Sequence, residues 1–361
     1  MRVTLNLLAL FCVLNCYSQK NLDTIFGDPK SVKEKIVFLG KSVPKRLTEY
    51  HSSIFRDNSR YKKGYLKTFF RDIDLSYINC KMIYNKKGLV EQEFWYDFSN
   101  ELESRLYYSY DKNENLIEEK EVFFDDEFLL IKNHYNTSNK AIASSSYFSE
   151  EPNEFSHRYY IRDLNNNIIE TKIIDEDGED YSIVNDLNEQ QKIIKTYRRF
   201  LVNWRRSKGV QLKFKEKERN MYEYDYDKNG NKILQLNYNE SRNKIYSKHV
   251  WRFNNRNKLV ELKLYYNMID TTNYKMLRYN YNEKDLRIYE EETSSKDSTF
   301  KSIKTFYNQE DYIIKTIVFE NGKTEVLNYK YKFDKKGNWT KIIKTVNSEP
   351  LYVWTRKIKY Y

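Results

Sequence analysis

A tandem repeat of about 26 residues constrains this chain more than any other feature of its sequence. The two clearest copies are Tyr226-Asp227-Lys228-Asn229-Gly230-Asn231 and Phe333-Asp334-Lys335-Lys336-Gly337-Asn338, each followed by an apolar-rich segment. Weaker copies have their first residue, the anchor, at positions 84, 110, 135, 162, 253, 281 and 307. Outside residues 185–226, successive anchors lie 25 to 28 residues apart. A fixed period of this length is typical of repeat architectures.

One repeat has the pattern of a β-hairpin. Tyr222, Tyr224 and Tyr226 alternate as on one face of a strand. Asp, Asn and Gly then favour a turn. The chain returns as a second strand, in which Leu234, Leu236 and further residues alternate. The composition agrees, because the chain contains 34 Tyr and 20 Phe, and aromatic residues favour strands.

The predicted fold is therefore all-β, with tandem antiparallel β-hairpins of about 26 residues that form a long curved or spiral sheet. About ten hairpins give about 20 strands, and open twisted sheets rarely exceed ~10 strands without curling. Closure of the sheet on itself is one way for it to curl.

The Tyr-Asp-x-x-Gly-Asn hairpins resemble the YD repeats of RHS-type and related bacterial surface proteins, and the resemblance covers roughly residues 80–361. Of these, the chain resembles short, tyrosine-rich secreted YD proteins of the Bacteroidetes type more closely than it resembles RHS proteins. The resemblance implies a repeat array only. It implies no toxin domain, because the repeats run to the last residue and no proline-bounded autocleavage motif follows them.

The chain begins with the layout of a secretory signal peptide over residues 1–18. Arg2 precedes a short apolar run, and Cys16-Tyr17-Ser18 places small residues before a cut at Gln19. The alternative is lipidation at Cys16. We expect residues 19–79 to form an N-terminal β segment that leads into the array at 80–361. The chain is expected in the periplasm, on the outer-membrane surface or outside the cell.

The spacing of the repeats is broken once, in a basic irregular unit at 185–226. Residues 192–219 hold eleven Lys or Arg against two Glu, a local net charge of +9 compared with +11 for the chain. This charge predicts an anion-binding or partner-binding patch. Its candidate residues are Arg198, Arg199, Trp204, Arg205, Arg206 and Lys208. The alternative is an elongated hairpin whose basic solvent face pairs with the acidic run Asp175–Asp180.

The sequence predicts no catalytic, cofactor or metal site. A cleaved chain keeps only Cys80, the four histidines share no ligand spacing, and the acidic run lacks the register of a calcium loop. We therefore expect a non-catalytic exported binding or scaffold protein of the cell envelope or cell surface. Its ligand would be an anionic polysaccharide or an envelope protein, because the compartment disfavours nucleic acid. The alternatives are a carbohydrate-active enzyme and an immunity-type protein that neutralises a toxin.

Overall fold

A computed structural model describes residues 25–39, 79–96, 100–123, 125–150, 155–175, 181–200, 204–207, 210–213, 218–239, 243–266, 272–296, 300–320 and 322–361. For Asp175 and for the segments 204–207 and 210–213, it describes the backbone alone. The predicted signal peptide over 1–18, Cys16 and Lys208 lie outside the described residues.

The described residues form 24 β-strands. The first twelve are β1 (Pro29–Phe38), β2 (Asn79–Tyr84), β3 (Val90–Tyr96), β4 (Leu102–Tyr110), β5 (Leu116–Phe123), β6 (Phe128–Tyr135), β7 (Ala141–Phe148), β8 (Phe155–Arg162), β9 (Ile168–Asp175), β10 (Tyr181–Leu187), β11 (Ile193–Phe200) and β12 (Trp204–Ser207). The others are β13 (Val210–Lys213), β14 (Glu218–Tyr226), β15 (Lys232–Asn239), β16 (Lys244–Phe253), β17 (Leu259–Tyr265), β18 (Tyr274–Tyr281), β19 (Arg287–Ser294), β20 (Phe300–Tyr307), β21 (Ile313–Glu320), β22 (Lys323–Phe333), β23 (Trp339–Val346) and β24 (Glu349–Tyr360).

Twenty-two of these strands form one antiparallel sheet that closes on itself. Each strand pairs with its neighbours in sequence, β11 pairs with β14, and β1 pairs with both β2 and β24. The hairpin β12–β13 is a separate two-stranded sheet inserted between β11 and β14. The predicted all-β hairpin array is confirmed, and its curvature ends in a closed barrel. At ~4.8 Å per strand the circumference is about 105 Å, and closure leaves no unpaired edge in this sheet.

The turn motif has one geometry in ten turns of the described chain. The second motif residue, an Asp or Asn, uses its side-chain oxygen to accept the backbone N–H four residues later in all ten turns, and in eight of them it also accepts the N–H two residues later. Asp111 accepts from Asn113 and Asn115, and Asp227 accepts from Asn229 and Asn231, at 2.8–2.9 Å. The ten residues are Asn85, Asp111, Asn136, Asp163, Asn188, Asp227, Asn254, Asn282, Asn308 and Asp334. These local bonds explain why Asp and Asn recur at this position.

The turn at Asn188 corrects the sequence interpretation. The sequence places the start of the irregular unit at Asn185, but the turn has Leu187 as its anchor, and both 185 and 186 lie within β10. The break before Tyr226 is therefore 39 residues rather than 41, which is one repeat plus the inserted β12–β13 hairpin.

Anchor tyrosines connect each hairpin to the one before it. The hydroxyl of Tyr110 donates to the carbonyl of Val90, and that of Tyr281 donates to the carbonyl of Leu259, both at 2.7 Å. In each case the acceptor is the first residue of the preceding return strand. Equivalent bonds are made by Tyr135, Tyr226 and Tyr307, by Tyr331 beside the anchor Phe333, and by the Arg162 guanidinium.

The barrel has two different rims and two different faces. The ten motif turns lie at one end, the turn rim, and the opposite ends of the strands form the other, the loop rim. In β1, Val32, Glu34 and Ile36 are buried, whereas Lys33 and Lys35 between them are exposed. Register partners share a face, so these two sets identify the buried face and the exposed face around the sheet.

The most buried side chains lie where the ring closes, on β20–β24 and β1–β4. Trp354, Tyr352 and Val32 are 0–1% exposed. Glu34 and Arg356 are register partners across the closing pair β1–β24, and their side chains are 2.8 Å apart. Both are buried, and the Arg356 guanidinium lies 3.8 Å from the Trp339 ring centroid. Closure therefore buries an ion pair as well as apolar side chains.

Candidate functional site

The inserted hairpin β12–β13 is flanked by two strands, β11 and β14, that carry the arginines of the irregular unit whose side-chain contacts are described. Arg198 of β11 and Arg219 of β14 are direct register partners. Their side chains therefore lie on the same face, and the register of the neighbouring strands makes this the buried face. Two guanidinium groups at directly opposite positions repel each other, which locally destabilises the sheet.

Two aromatic rings hold these arginines. The Arg198 guanidinium lies 4.4 Å from the centroid of the Tyr181 ring, and that of Arg219 lies 4.8 Å from the Phe200 ring. Tyr181 and Phe200 are themselves cross-strand partners, with centroids 6.4 Å apart. Cation–π contact fixes each guanidinium plane against a ring and leaves its edge for hydrogen bonds. Within the described residues, the buried Nε of Arg219 has no hydrogen-bond partner.

The next arginine belongs to the opposite face and is already paired. Arg199 lies 3.1 Å from the Glu218 carboxylate and donates to the Tyr197 hydroxyl at 3.2 Å. Burial alone would lower the pKa of Arg199, but the bond to Glu218 and nearby anionic groups outweigh it, so the pKa is raised. Burial chiefly raises the pKa of Tyr197. This trio is a satisfied surface cluster and has little capacity for a further anion.

The structure thus divides the predicted patch. Arg198 and Arg199 are adjacent in sequence but lie on opposite faces of the sheet, as alternation in a strand requires. Trp204, Arg205 and Arg206 lie on β12, whose backbone pairs with β13. Lys208 falls outside the described residues, so no contact between it and the other candidates is described.

Sequence reasoning missed Arg219 and Tyr181 as partners of Arg198. Tyr181 begins the strand that precedes β11, and its place follows from hairpin register. Arg219 was counted only as charge. A register irregularity between Thr196 and Tyr197 places it opposite Arg198, and no local pattern indicates that irregularity.

No group of three or more metal-ligating side chains occurs in the described part of the chain. The Asp227 segment, whose sequence resembles half of a calcium-binding loop, is a turn: Oδ1 of Asp227 accepts two backbone N–H groups and Oδ2 accepts from the Asn231 amide. That amide hydrogen bond is the main reason that the pKa of Asp227 is lowered. Most of the acidic run, 176–180, lies outside the described residues. Cys80 is buried in the core and forms no disulfide within the described residues.

Two shallow grooves flank the Asn188 turn. One, of about 450 Å³, is lined by residues including Asp163, Glu170 and Asp186, and the other, of about 380 Å³, includes Asp225 and Tyr226. The second groove lies across the 39-residue break between the Leu187 and Tyr226 anchors, whereas the first lies between two turns with regular spacing. Each groove is lined by several carboxylates, the residue type that the carbohydrate-active alternative requires, so the grooves do not separate that alternative from a binding surface.

Within the described residues there is no helix long and apolar enough to cross a bilayer, a finding that concerns helices alone.

Comparison with known proteins identifies no family. No protein-family model and no curated protein matches the chain. Among solved structures, a porin-like protein from Bacteroides uniformis ATCC 8492 matches at 10% identity and a TM-score of 0.27, over 93% of this chain and 99% of that one. A porin-like protein from Bacteroides vulgatus ATCC 8482 matches at 11% identity and a TM-score of 0.18, over 71% of this chain and 92% of that one. At these scores neither likeness carries an argument about this chain.

Proposed function

We propose that this chain is an exported, non-catalytic binding scaffold of the cell envelope whose irregular unit takes an acidic polysaccharide. The Arg198–Arg219 pair carries the proposal. Two like charges are held side by side on aromatic rings, and a buried Nε of Arg219 has no partner among the described residues. An anionic group placed between the guanidinium groups would relieve the repulsion and satisfy the free donor.

The turn geometry supports a YD-repeat identity for the array. Each motif residue has a role that repeats: the anchor donates to the previous hairpin, and the Asp or Asn closes the turn. Because these turns are uniform, they give the barrel a rigid frame. Side chains at the loop rim can then vary without changing that frame. This division suits a scaffold better than an enzyme, because catalysis requires a cleft with fixed, convergent groups.

The exposed face of the barrel is better suited to contact with water or a polar partner than with lipid. Across β16–β19 that face carries a ladder of ion pairs, with Arg252 and Arg278 at 3.4 and 3.1 Å from Glu261, and Arg278 at 3.6 Å from Glu291. A charged side chain on the lipid face of a transmembrane barrel costs up to ~2–4 kcal/mol. We therefore place the barrel at an envelope surface, in the periplasm or outside the cell, rather than within a bilayer.

Binding of dextran sulfate, with neutral dextran as the reference, tests the proposal on the mature chain (residues 19–361). We expect Arg198→Ala with Arg219→Ala to weaken binding by about tenfold or more, equivalent to ~1.4 kcal/mol. The matched control is Arg252→Ala with Arg278→Ala, which removes the same charge from the exposed ion-pair ladder. Equal losses in both variants would show that net charge rather than the pair is responsible, and unchanged binding would refute the assignment.

A further inference from the structure

Closure of the ring gathers lysines that are far apart in the sequence. Five adjacent strands, β22, β23, β24, β1 and β2, meet around the closing pair. Their exposed face carries eight lysines, here called the seam lysine face. They are Lys330, Lys332, Lys341, Lys357, Lys359, Lys33, Lys35 and Lys81. The first five come from the last 32 residues and the other three from the first 81, so the sequence does not show them as a cluster.

The register places several of these lysines directly opposite one another. Lys33 of β1 pairs with Lys357 on one side and with Lys81 on the other, which makes a row of three. Lys332 and Lys341 form a further direct pair. Like charges directly opposite each other destabilise a sheet. The wild-type face therefore lowers the stability of the free protein.

The described residues provide no counter-charge for this face. None of the eight lysines has a described carboxylate within salt-bridge distance, and the one exposed acidic residue in the described parts of these five strands, Glu349, begins β24 and is the register partner of Val346 rather than of a lysine. Glu34 and Glu325 of the same strands belong to the buried face. The wall formed by β16–β19 is different, because Glu261 and Glu291 neutralise its arginines there.

We infer that the seam lysine face is a second binding surface for an acidic polysaccharide, separate from the Arg198–Arg219 pair. Neighbouring strands are ~4.8 Å apart and alternate residues of a strand are ~6.6 Å apart, so the lysines form a lattice of positive charge. Lysine is a flexible point charge without the fixed fork of arginine. Such a lattice suits a linear polymer with repeated acidic groups better than a single ligand of defined shape.

The shape of the wall favours a polymer over a membrane. A row of aliphatic residues, Ile343, Val353 and Val37, borders the lysines and would also suit an anionic bilayer. A closed barrel presents a convex wall, however, so a flat membrane touches only a few strands, whereas a polymer can follow the curve across all five. This inference rests on the proposed function only for the class of ligand.

The test uses the mature chain with Lys33, Lys35, Lys81, Lys357 and Lys359 changed to Gln. We expect this variant to bind dextran sulfate about tenfold or more less tightly. Wild-type binding by the seam is expected to fall steeply between about 0.05 M and about 0.5 M salt, because exposed charges are screened. The matched control changes to Gln five lysines that lie outside the seam lysine face: Lys132 of β6, Lys172 of β9, Lys244 and Lys248 of β16, and Lys263 of β17.

Three results would overturn the inference. The first is wild-type affinity in the seam variant, and the second is an equal loss in the control. The third is seam-dependent binding to phosphatidylglycerol vesicles without binding to dextran sulfate, which would assign the face to a membrane. Substitution of the same five lysines by Arg is expected to keep binding.

A folding defect in the five-site variant is detected by circular dichroism, and Lys33→Gln with Lys357→Gln then serves as the smaller test. If the double variant at Arg198 and Arg219 binds dextran sulfate as tightly as the wild type while the seam variant loses binding, the proposed site is wrong and this inference is unaffected.

Discussion

At the scale of single residues, the fourth residue after each anchor explains why glycine is scarce in this repeat. All ten of these residues have positive φ, between 56° and 83°, yet only Gly88, Gly230 and Gly337 are glycine. Six of the other seven use their side chains to bridge to the preceding turn. Asn257 accepts from Asn229 and Asn231, and the others are Glu114, Asn139, Gln191, Asp285 and Asp311. A side chain that links turns therefore compensates for the left-handed backbone.

Asn257 allows this compensation to be measured. Asn257→Ala should destabilise the barrel by about 1–3 kcal/mol, because it keeps the left-handed strain and loses the bridge. Asn257→Gly should cost less, since it loses the bridge but removes the strain. Chemical denaturation of both variants gives the comparison. If alanine and glycine are equivalent at this position, the backbone argument is wrong.

The anchor hydroxyl gives a second residue-scale prediction. Tyr281→Phe removes the bond to the Leu259 carbonyl and should lower the free energy of unfolding by about 1 kcal/mol. Tyr266→Phe is the control, because Tyr266 is 54% exposed. If the free energy of unfolding falls no more than in the control, the anchor acts through packing alone. Phe253 and Phe333 act in this way at their own turns, because phenylalanine has no hydroxyl.

Lys344 makes stability depend on pH. It is fully buried, it is the register partner of both Tyr329 and Tyr352, and burial lowers its pKa to about 6. Between about pH 6 and its ordinary value of 10.5 the unfolded chain binds a proton that the folded chain lacks. Stability should therefore rise with pH in this window, by at most about 1.4 kcal/mol per unit.

Lys344→Met should remove that rise and increase stability most near the acid end of the window. Burial raises the pKa of Tyr329, so its contribution is present below pH 10 and decreases above it, in the opposite direction. Denaturation curves recorded from pH 6 to pH 10 for both proteins would test this. An unchanged slope in the variant would assign the pH dependence to other groups.

At the scale of strands and hairpins, local chemistry made the repeat predictable. Aromatic alternation and the Asp-x-x-Gly-Asn turn gave the hairpins, because both depend on neighbours in sequence. The Leu187 anchor was missed, since it lacks an aromatic residue and its left-handed position holds Gln191. The faces of Arg198 and Arg199 follow from simple alternation, but the pairing of Arg198 with Arg219 depends on a register irregularity beyond the reach of local patterns.

The inserted hairpin should be dispensable for the barrel. β12 and β13 pair only with each other, whereas β11 and β14 pair directly. Replacement of residues 203–214 by a short Gly-Ser turn should therefore leave the β-sheet circular dichroism unchanged and shift the melting temperature by only a few degrees. Loss of the cooperative transition would show that this segment belongs to the folding core.

At the scale of the whole molecule, closure is the step that no repeat encodes. β1 is not part of a motif hairpin, yet it pairs with β2 and β24 and carries the lysines that complete the seam lysine face. Counting charge along the sequence assigned nearly all of the net positive charge to residues 192–219. That view missed the seam, because its cations lie at opposite ends of the chain and opposite charges elsewhere offset them in the total.

The buried ion pair Glu34–Arg356 should stabilise the β1–β24 pairing that closes the barrel. Glu34→Ala alone leaves a buried guanidinium without its carboxylate and should cost about 3–5 kcal/mol, because an unpaired buried charge is strongly disfavoured. Glu34→Leu with Arg356→Met should cost much less, since apolar residues of similar size can replace a buried ion pair. A double-mutant cycle by urea denaturation separates these terms. If Glu34→Ala were nearly neutral, the β1–β24 seam would be open in solution, and the seam lysine face would not exist as one surface.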